Sequence, residues 1–248
     1  MWCFNQNIAN LSDVISTMPR NITSIILCKN MIKVIPPGSF GQLTELKKLD
    51  LSQNKLVSLQ GGEFRGLNLL DFLNLTCNNI SHIHADAFEG LASLKTLLLT
   101  HNMLAGHFIF LFKPLPAIQK VDLSLNMLKS FSCEEFGGSS TLKELDLFAN
   151  DIQRLNVSCF PALEYVRLSN NTKLELQPDA FASNPKLSKL LLQAVNVDML
   201  VRLSAQTKRN LFRVSFSLFV EKSPLTVCDV LTGMDHLDRV EVKVFCLI

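Results

Sequence analysis

The chain has 248 residues, of which 48% are hydrophobic and 19% are charged, and its formal net charge is +2. This composition supplies one sizeable core, whereas so small a charge gives no reason in itself to expect nucleic acid or an anionic membrane as a partner. No apolar run approaches the ~20 residues of a bilayer-spanning helix, since the richest, residues 108–112, is followed at once by Lys113 and Pro114.

A strict period organises the sequence from residue 21 to residue 186. Asparagines recur every 24 residues, and a phenylalanine follows each of them ten residues later. An L-x-x-L-x-L pattern precedes each asparagine, and after a shorter step of 21 residues it returns before Asn171. The two series are Asn30, Asn54, Asn78, Asn102, Asn126 and Asn150, and Phe40, Phe64, Phe88, Phe112, Phe136 and Phe160.

Each repeat predicts one coil of a solenoid. Leucines that alternate with polar residues predict a short strand with one buried side. The asparagine ends the strand in a turn, where its amide can satisfy backbone groups of neighbouring coils, and the phenylalanine fills the back of the coil. Because one coil cannot bury its apolar side chains alone, the coils stack into a parallel sheet over a continuous core. Bulkier segments opposite the strands bend the stack and leave the sheet on the concave face.

Residues 187–248 predict irregular repeats. Residues 198–210 lack the phenylalanine and predict a longer, partly helical convex segment. Drift in a tolerant solenoid and a change of curvature at a subdomain boundary explain the irregularity equally well. The leucine pattern continues as Leu187, Leu190 and Leu192, then Leu211, Val214 and Phe216, then Leu237, Val240 and Val242, with Val195, Phe219 and Phe245 in the asparagine position.

The repeat is similar to the 24-residue typical leucine-rich repeat of animal extracellular proteins. Pro19, Asn21 and Thr23, ahead of Asn30, resemble the junction between the N-terminal cap and the first repeat of Toll-like receptors. Cys3 stands where the last cysteine of that cap would be, so residues 1–20 are interpreted as a partial cap. The resemblance implies an α/β leucine-rich-repeat solenoid, a curved right-handed horseshoe of about ten repeats with a parallel β-sheet on its concave face.

The same resemblance implies a function. It implies the extracellular ligand-recognition module of an innate immune pattern-recognition receptor, which binds a microbial or protein ligand on its concave face or flank and promotes homodimerisation or heterodimerisation. The membrane helix and signalling domain of such receptors are not in the sequence, and neither is a cysteine-rich C-terminal cap. We therefore expect a fragment that is truncated within its repeats and does not itself insert into a membrane. The alternative is an adhesion or extracellular-matrix interaction protein, as in the small leucine-rich proteoglycans.

Glycosylation triplets indicate the compartment. The 19 asparagines and a Ser or Thr frequency of about one in eight would give between about two and three Asn-x-Ser/Thr triplets by chance. The excess favours an extracellular or lumenal location, as a receptor ectodomain or a secreted protein, although the first residues show no signal peptide. The six triplets begin at Asn10, Asn21, Asn74, Asn79, Asn156 and Asn170.

Seven cysteines leave at least one thiol without a partner inside the chain. Cys133 follows Asn126 by seven residues, and Cys159 follows Asn150 by nine. Both therefore fall on the convex side of adjacent coils, where equivalent positions lie about 5 Å apart. This spacing suits a disulfide, provided that the loop absorbs the offset of two residues.

No catalytic motif or cofactor site is expected. The sequence contains no G-x-S-x-G, phosphate-binding loop or H-E-x-x-H motif. His82 and His84 flank Ile83 in a convex turn, without a Cys, Asp or Glu at ligand spacing, so surface histidines are favoured over a metal site. The sequence therefore predicts a binding scaffold that is not an enzyme.

The outward positions of the strands are the candidate ligand-binding residues. They are acidic around the fifth and sixth repeats and mainly basic from the seventh onward. An anionic ligand, nucleic acid included, is compatible with the basic half through phosphate contacts, but an ordinary solvated sheet face is favoured. The residues of the basic half are Tyr165, Arg167, Lys189, Arg213, Arg239 and Lys243.

Overall fold

A computed structural model describes residues 5–106, 108, 110–192, 204 and 207, and the backbone of residues 215–218. Short strands dominate these parts of the chain, with one helical turn near the start and another on the convex side. In chain order the elements are α1 (Leu11–Ile15), β1 (Ser24–Ile26), β2 (Lys48–Asp50), β3 (Ser58–Leu59), β4 (Phe72–Asn74), β5 (His82–Ile83), β6 (Thr96–Leu98), β7 (Lys120–Asp122), β8 (Ser130–Phe131), α2 (Cys133–Phe136), β9 (Glu144–Asp146), β10 (Arg154–Leu155), β11 (Tyr165–Arg167), β12 (Lys189–Leu192) and β13 (Ser215–Leu218).

One parallel sheet runs the length of the described chain. Its strand order is β1-β2-β4-β6-β7-β9-β11-β12-β13, and each strand pairs in register with the next coil, so that Leu49 lies beside Ile25 on one side and Leu73 on the other. The central residue of each three-residue strand is buried and its two neighbours face outward, as the leucine alternation predicts. The predicted parallel-strand solenoid is confirmed, and the strand expected at residues 237–242 lies outside the described part.

The asparagines of the period form a buried ladder between coils. Asn54 Nδ2 donates to the carbonyl of Leu51 at 2.9 Å in its own coil and to that of Leu27 at 3.0 Å in the preceding coil. Its Oδ1 accepts from the backbone N–H of Ile32 at 3.1 Å. Asn78, Asn102, Asn126 and Asn150 repeat this arrangement. The predicted role of the amide between neighbouring coils is thus confirmed.

The phenylalanines of the period stack along the back of the core. Phe40, Phe64 and Phe88 are fully buried, and successive ring centroids lie 6.3 Å apart with nearly parallel planes. From the fourth coil onward, Phe112 and Phe160 join Phe131 and Phe136 in a cluster of tilted rings. These rings fill the side of each coil that lies opposite the sheet.

The N-terminal segment occupies the place of a preceding coil. The amide oxygen of Asn30 accepts from the backbone N–H groups of Gln6 and Ile8, as later ladder asparagines accept from their neighbouring coil. Helix α1 begins after Asn10, whose side chain accepts from the N–H of Ser12, and it buries Leu11 and Ile15 against the first repeats. The core therefore continues on the N-terminal side of β1, the first strand of the sheet.

The structure corrects the register expected after β12. The sequence pattern placed Val214 opposite Leu190, one regular period of 24 residues later. In the structure Phe216 pairs with Leu190, which makes this coil two residues longer. A shift of two residues leaves the in–out alternation of a strand unchanged, so the sequence pattern alone could not distinguish the two registers.

Among the described residues, no helix is both long and apolar enough to cross a membrane. The helices α1 and α2 contain five and four residues.

Candidate ligand-binding pocket on the sheet face

The outward side chains of the main sheet form two parallel rows, which we call the sheet face. The register places the first and third residues of each strand beside their equivalents in the next coil. The first row is Ser24, Lys48, Phe72, Thr96, Lys120, Glu144, Tyr165 and Lys189. The second row is Ile26, Asp50, Asn74, Leu98, Asp122, Asp146, Arg167 and Leu191.

A cavity opens on the sheet face where β7, β9, β11 and β12 lie side by side. Its volume is about 370 Å³, which is within the range of small-molecule or side-chain binding sites. Three carboxylates, two ammonium groups and one phenol line it, and we call it the sheet-face pocket. Its polar lining is Lys120, Asp122, Glu144, Asp146, Tyr165 and Lys189.

The cations of this region already have partners. Lys120 Nζ lies 2.8 Å from Glu144 Oε2, a pair whose side chains are each about half exposed. Arg167 lies 3.5 Å from Asp146 Oδ2, and its guanidinium carbon stands 3.9 Å from the centre of the Phe148 ring. The exposed pair of Lys120 and Glu144 contributes about 1 kcal/mol or less, as does the cation–π contact of Arg167. They fix the orientation of the basic side chains more than they stabilise the fold.

Tyr165 forms the aromatic wall of the pocket. Lys189 Nζ lies 5.3 Å from the centre of its ring. Burial raises the pKa of the Tyr165 phenol, and the nearby Asp146 carboxylate raises it further. The phenol is therefore a neutral hydrogen-bonding group at physiological pH, and it stands beside carboxylates that can accept from the same ligand.

Asp146 is more enclosed than Glu144, the other carboxylate of the pocket that lies in an ion pair. Its side chain is only 18% exposed, and its Oδ1 accepts from the backbone N–H of Phe148 at 2.9 Å. Burial raises the pKa of Asp146, and the neighbouring Asp122 adds to this, while the Phe148 N–H and Arg167 act in the opposite direction. The pocket therefore holds a carboxylate whose charge is costly to maintain.

The predicted ligand residues divide into two groups. The structure brings Tyr165, Arg167 and Lys189 together on adjacent strands. The other three, Arg213, Arg239 and Lys243, lie outside the described residues. A ligand-binding role for any of the six stays a prediction.

The acidic partners of the basic side chains were not predicted from the sequence. The sequence pattern indicated an acidic and a basic half of the face, but Glu144 lies directly beside Tyr165 and Asp146 beside Arg167. This pairing of β9 with β11 could have been predicted from the sequence. Counting back from Asn150 and from Asn171, which are 21 residues apart, gives the same register.

The six glycosylation triplets lie at different depths. Asn74 is the one on the sheet face, where its Nδ2 donates to Asp50 Oδ2 at 3.2 Å and its Oδ1 accepts from the Thr76 N–H. Attachment of a sugar replaces one of the two Nδ2 hydrogens and leaves one that can donate to Asp50. Asn10, Asn21 and Asn170 are exposed, and Asn74, Asn79 and Asn156 are partly buried. Occupancy of these sites stays a prediction.

On the convex side, Cys133 and Cys159 are joined by a disulfide, with Cα atoms 5.9 Å apart. Helix α2 carries Cys133, and Ser132 caps that helix by accepting from the N–H of Glu135. The offset of two residues between the coils is thus absorbed in the convex loop. Within the described chain, Cys28 and Cys77 are free thiols.

The histidines of the convex turn contact neighbouring polar side chains. His84 Nδ1 lies 3.6 Å from Asp86 Oδ2, and both side chains are more than half exposed. His82 Nδ1 is 2.8 Å from Ser81 Oγ. Across the residues that the structure describes, no group of three potential ligands from His, Cys, Asp or Glu comes together.

Comparisons with known proteins agree with this architecture. A family model described as leucine rich repeat matches residues 20–76 and 64–104. No curated protein matches the chain by sequence. The fold and the family match together support a leucine-rich-repeat solenoid, a fold that typically serves as a non-enzymatic scaffold for ligand binding or protein interaction.

Three solved structures are similar along nearly the whole chain. The TLR13–ssRNA13 complex has a TM-score of 0.71 and 27% identity, and the match covers 96% of this chain and 38% of that one. An internalin, InlF, from Listeria monocytogenes has a TM-score of 0.68 and 17% identity, with 96% and 69% covered. The LRIM1/APL1C complex has a TM-score of 0.65 and 21% identity, with 97% and 38% covered. The chain thus spans about two fifths of the length of TLR13.

Proposed function

We propose that this leucine-rich-repeat domain is the ligand-recognition part of a Toll-like receptor ectodomain. In this role it binds a microbial ligand on the sheet face or a flank, on the extracellular or lumenal side of a membrane. Binding then promotes dimerisation with a second receptor chain. The likeness to TLR13 carries the proposal, because 27% identity extends over 96% of the chain.

The sheet-face pocket supports a recognition role. Its polar side chains stand on β-strands held by the asparagine ladder, so their spacing is set by the backbone. Its lining combines charged groups with an aromatic ring, which is the mixture that recognition sites use for specificity. A face of this kind suits a ligand that offers several polar contacts at once.

Membrane anchoring and signalling belong to the proposal for the whole receptor, because the chain spans 38% of the TLR13 chain. An adhesion or extracellular-matrix protein on the same repeat is the alternative. InlF and LRIM1/APL1C, at 17% and 21% identity, share the fold and favour no particular partner.

A binding panel tests the proposal. The chain is secreted from eukaryotic cells and titrated by calorimetry with single-stranded RNA, a bacterial lipopeptide and a purified bacterial surface protein. Collagen and fibronectin serve as matrix controls, and light scattering reports the mass of each complex. We expect saturable binding to one microbial class and none to the matrix proteins. Binding to the matrix proteins alone, or to nothing in the panel, would overturn the proposal.

A further inference from the structure

We propose that the sheet-face pocket binds an arginine or lysine side chain of a protein ligand. The inference rests on the proposed function, since it names the ligand chemistry of the same face. The partner of the surface from β7 to β12 is then a basic protein. Binding of nucleic acid to this surface is the alternative that the experiment below distinguishes.

The charges that line the pocket favour a cation. Asp122, Glu144 and Asp146 supply three carboxylates, against the two ammonium groups of Lys120 and Lys189. Asp122 and Asp146 are paired residues of neighbouring strands, which places their backbones about 5 Å apart. An incoming guanidinium can therefore donate to both carboxylates at once, and charge-assisted bonds of this kind are the strong ones.

Two of the local cations are already engaged by neighbouring side chains. Lys120 is held by Glu144 at 2.8 Å, and Arg167 is turned onto the Phe148 ring at 3.9 Å. Lys189, which also lines the pocket, lies over the Tyr165 ring, so a phosphate there would meet three carboxylates as well as this ammonium group. Carboxylates at such short range repel a phosphate and oppose its binding.

The aromatic ring of Tyr165 also favours an arginine side chain. The ring of Tyr165 already faces one cation, because Lys189 Nζ lies 5.3 Å from its centre. An arginine side chain combines a flat face that stacks on an aromatic ring with a fork of donors that fits paired carboxylates. The lining of the pocket supplies both kinds of partner.

The single tyrosine of the chain gives a direct readout. The sequence contains one Tyr and one Trp, so in a Trp2→Phe background the intrinsic fluorescence comes from Tyr165 inside the pocket. The probes are a capped tetra-arginine peptide, the isosteric but uncharged tetra-citrulline peptide, and an oligouridylate. We expect saturable quenching by the arginine peptide and none by the other two, with an affinity that falls as salt is added.

Two matched variants locate the site. Asp122→Asn removes a pocket carboxylate, and we expect it to lower the affinity for the arginine peptide by about tenfold. Asp50→Asn is the control, because Asp50 occupies the same row three strands away and its Oδ1 accepts from Ser52 N–H at 2.9 Å, as that of Asp122 does from Ser124 N–H at 2.9 Å. We expect it to bind like the parent. Glu144→Gln, at a half-exposed side chain, replaces Asp122→Asn if that variant does not fold.

The inference is overturned by equal quenching with citrulline, by equal weakening in both aspartate variants, or by an oligouridylate response that strengthens in Asp122→Asn. The inference is also overturned if the fluorescence of Tyr165 does not change when the arginine peptide is added. These outcomes leave the proposed function standing if the chain still binds a microbial ligand in the calorimetric panel. Conversely, quenching by the arginine peptide in a chain that binds no microbial ligand would uphold the pocket and reject the receptor role.

Discussion

At the scale of single residues, the amide of each ladder asparagine serves two coils. Asn102 Nδ2 donates to the carbonyls of Leu75 and Leu99 at 3.0 Å, and its Oδ1 accepts from the N–H of Ile80 at 3.0 Å. All three backbone groups are buried, so water cannot replace these hydrogen bonds if the side chain is removed. One side chain thus satisfies polar groups that the stacking of coils would otherwise leave unpaired.

Replacing a ladder asparagine should destabilise the whole domain. For Asn102→Ala we expect the free energy of unfolding to fall by about 3 kcal/mol, since a buried unsatisfied group costs about 1–3 kcal/mol. Urea unfolding followed by circular dichroism measures it. Asn68→Ala, at an exposed asparagine, is the control and should change stability by less than about 0.5 kcal/mol. A loss for Asn102→Ala no larger than that of the control would contradict the role of the ladder.

The residue before each ladder asparagine has a left-handed backbone. Its φ is +53° at Leu125 and +60° at Asn170. Asparagine tolerates this conformation, whereas leucine is strained in it. Because Leu125 is also 43% exposed, its side chain gains little from packing there.

Leu125→Asn should therefore stabilise the domain by about 0.5–1 kcal/mol. Thermal unfolding compares it with Leu125→Ala, which removes the same exposed side chain but keeps the Cβ strain. We expect a higher midpoint for the asparagine variant and little change for alanine. Equal midpoints for the two variants would show that exposure of the side chain, and not backbone strain, is the relevant cost.

Asp146 makes the stability of the domain depend on pH. Its folded pKa is raised above the ordinary carboxyl value, mainly by burial. A raised pKa means that the folded state binds the proton more tightly, so this group favours folding at low pH and the benefit is lost as pH rises through its folded pKa. Asp146→Asn keeps the shape but carries no charge, and it should gain stability relative to the parent most clearly at neutral pH. Urea midpoints from acid to neutral pH measure the difference, and an advantage that does not grow with pH would contradict the assignment.

At the scale of elements, the disulfide connects two convex loops that follow the paired strands β8 and β10. It links α2 to the coil of β10 across 26 residues of sequence. A cross-link of this span stabilises the folded state by about 3 kcal/mol, chiefly by restricting the unfolded chain.

The double variant Cys133→Ser with Cys159→Ser should lose about that much stability under oxidising conditions. Adding a reductant should lower the stability of the parent and leave the variant unchanged. Cys77→Ser, at a free thiol, is the control. Alkylation followed by mass spectrometry counts the protected thiols, and free Cys133 in the folded, oxidised protein would contradict the prediction.

Repeat spacing explains how much of the fold the sequence could reveal. The ladder asparagines and the L-x-L strands recur with a fixed period, so strand positions, register and inward-facing residues followed from counting as far as Leu190. After β12 the period is longer by two residues, and the pairing of Phe216 with Leu190 could not be counted. Contacts such as Arg167 on the Phe148 ring depend on side-chain rotamers, which the spacing of a sequence does not encode.

At the scale of the whole molecule, glycans at the predicted triplets would determine which surfaces are accessible. Asn74 lies on the sheet face beside β2, whereas the sheet-face pocket begins at β7. A glycan at Asn74 would cover the early coils and leave the later ones accessible.

We expect glycans at most of the six triplets when the chain passes through a eukaryotic secretory pathway. Peptide mapping after enzymatic deglycosylation in heavy-oxygen water reports each occupied asparagine as a labelled aspartate. Asn74→Gln tests the site on the sheet face and should lower the mass by one glycan without loss of folding. Conversion at none of the six asparagines would remove the support for an extracellular location.

The separation of inward and outward residues along each strand has a consequence for the divergence of related chains. Leu145 is completely buried, while Glu144 and Asp146 on either side of it face the pocket. An outward residue can change without disturbing the core, so a new specificity needs no compensating change in the fold. Among related chains of this fold we therefore expect the two outward rows to vary rapidly and the leucines and asparagines between them to stay the same, so that one scaffold gives rise to many recognition surfaces.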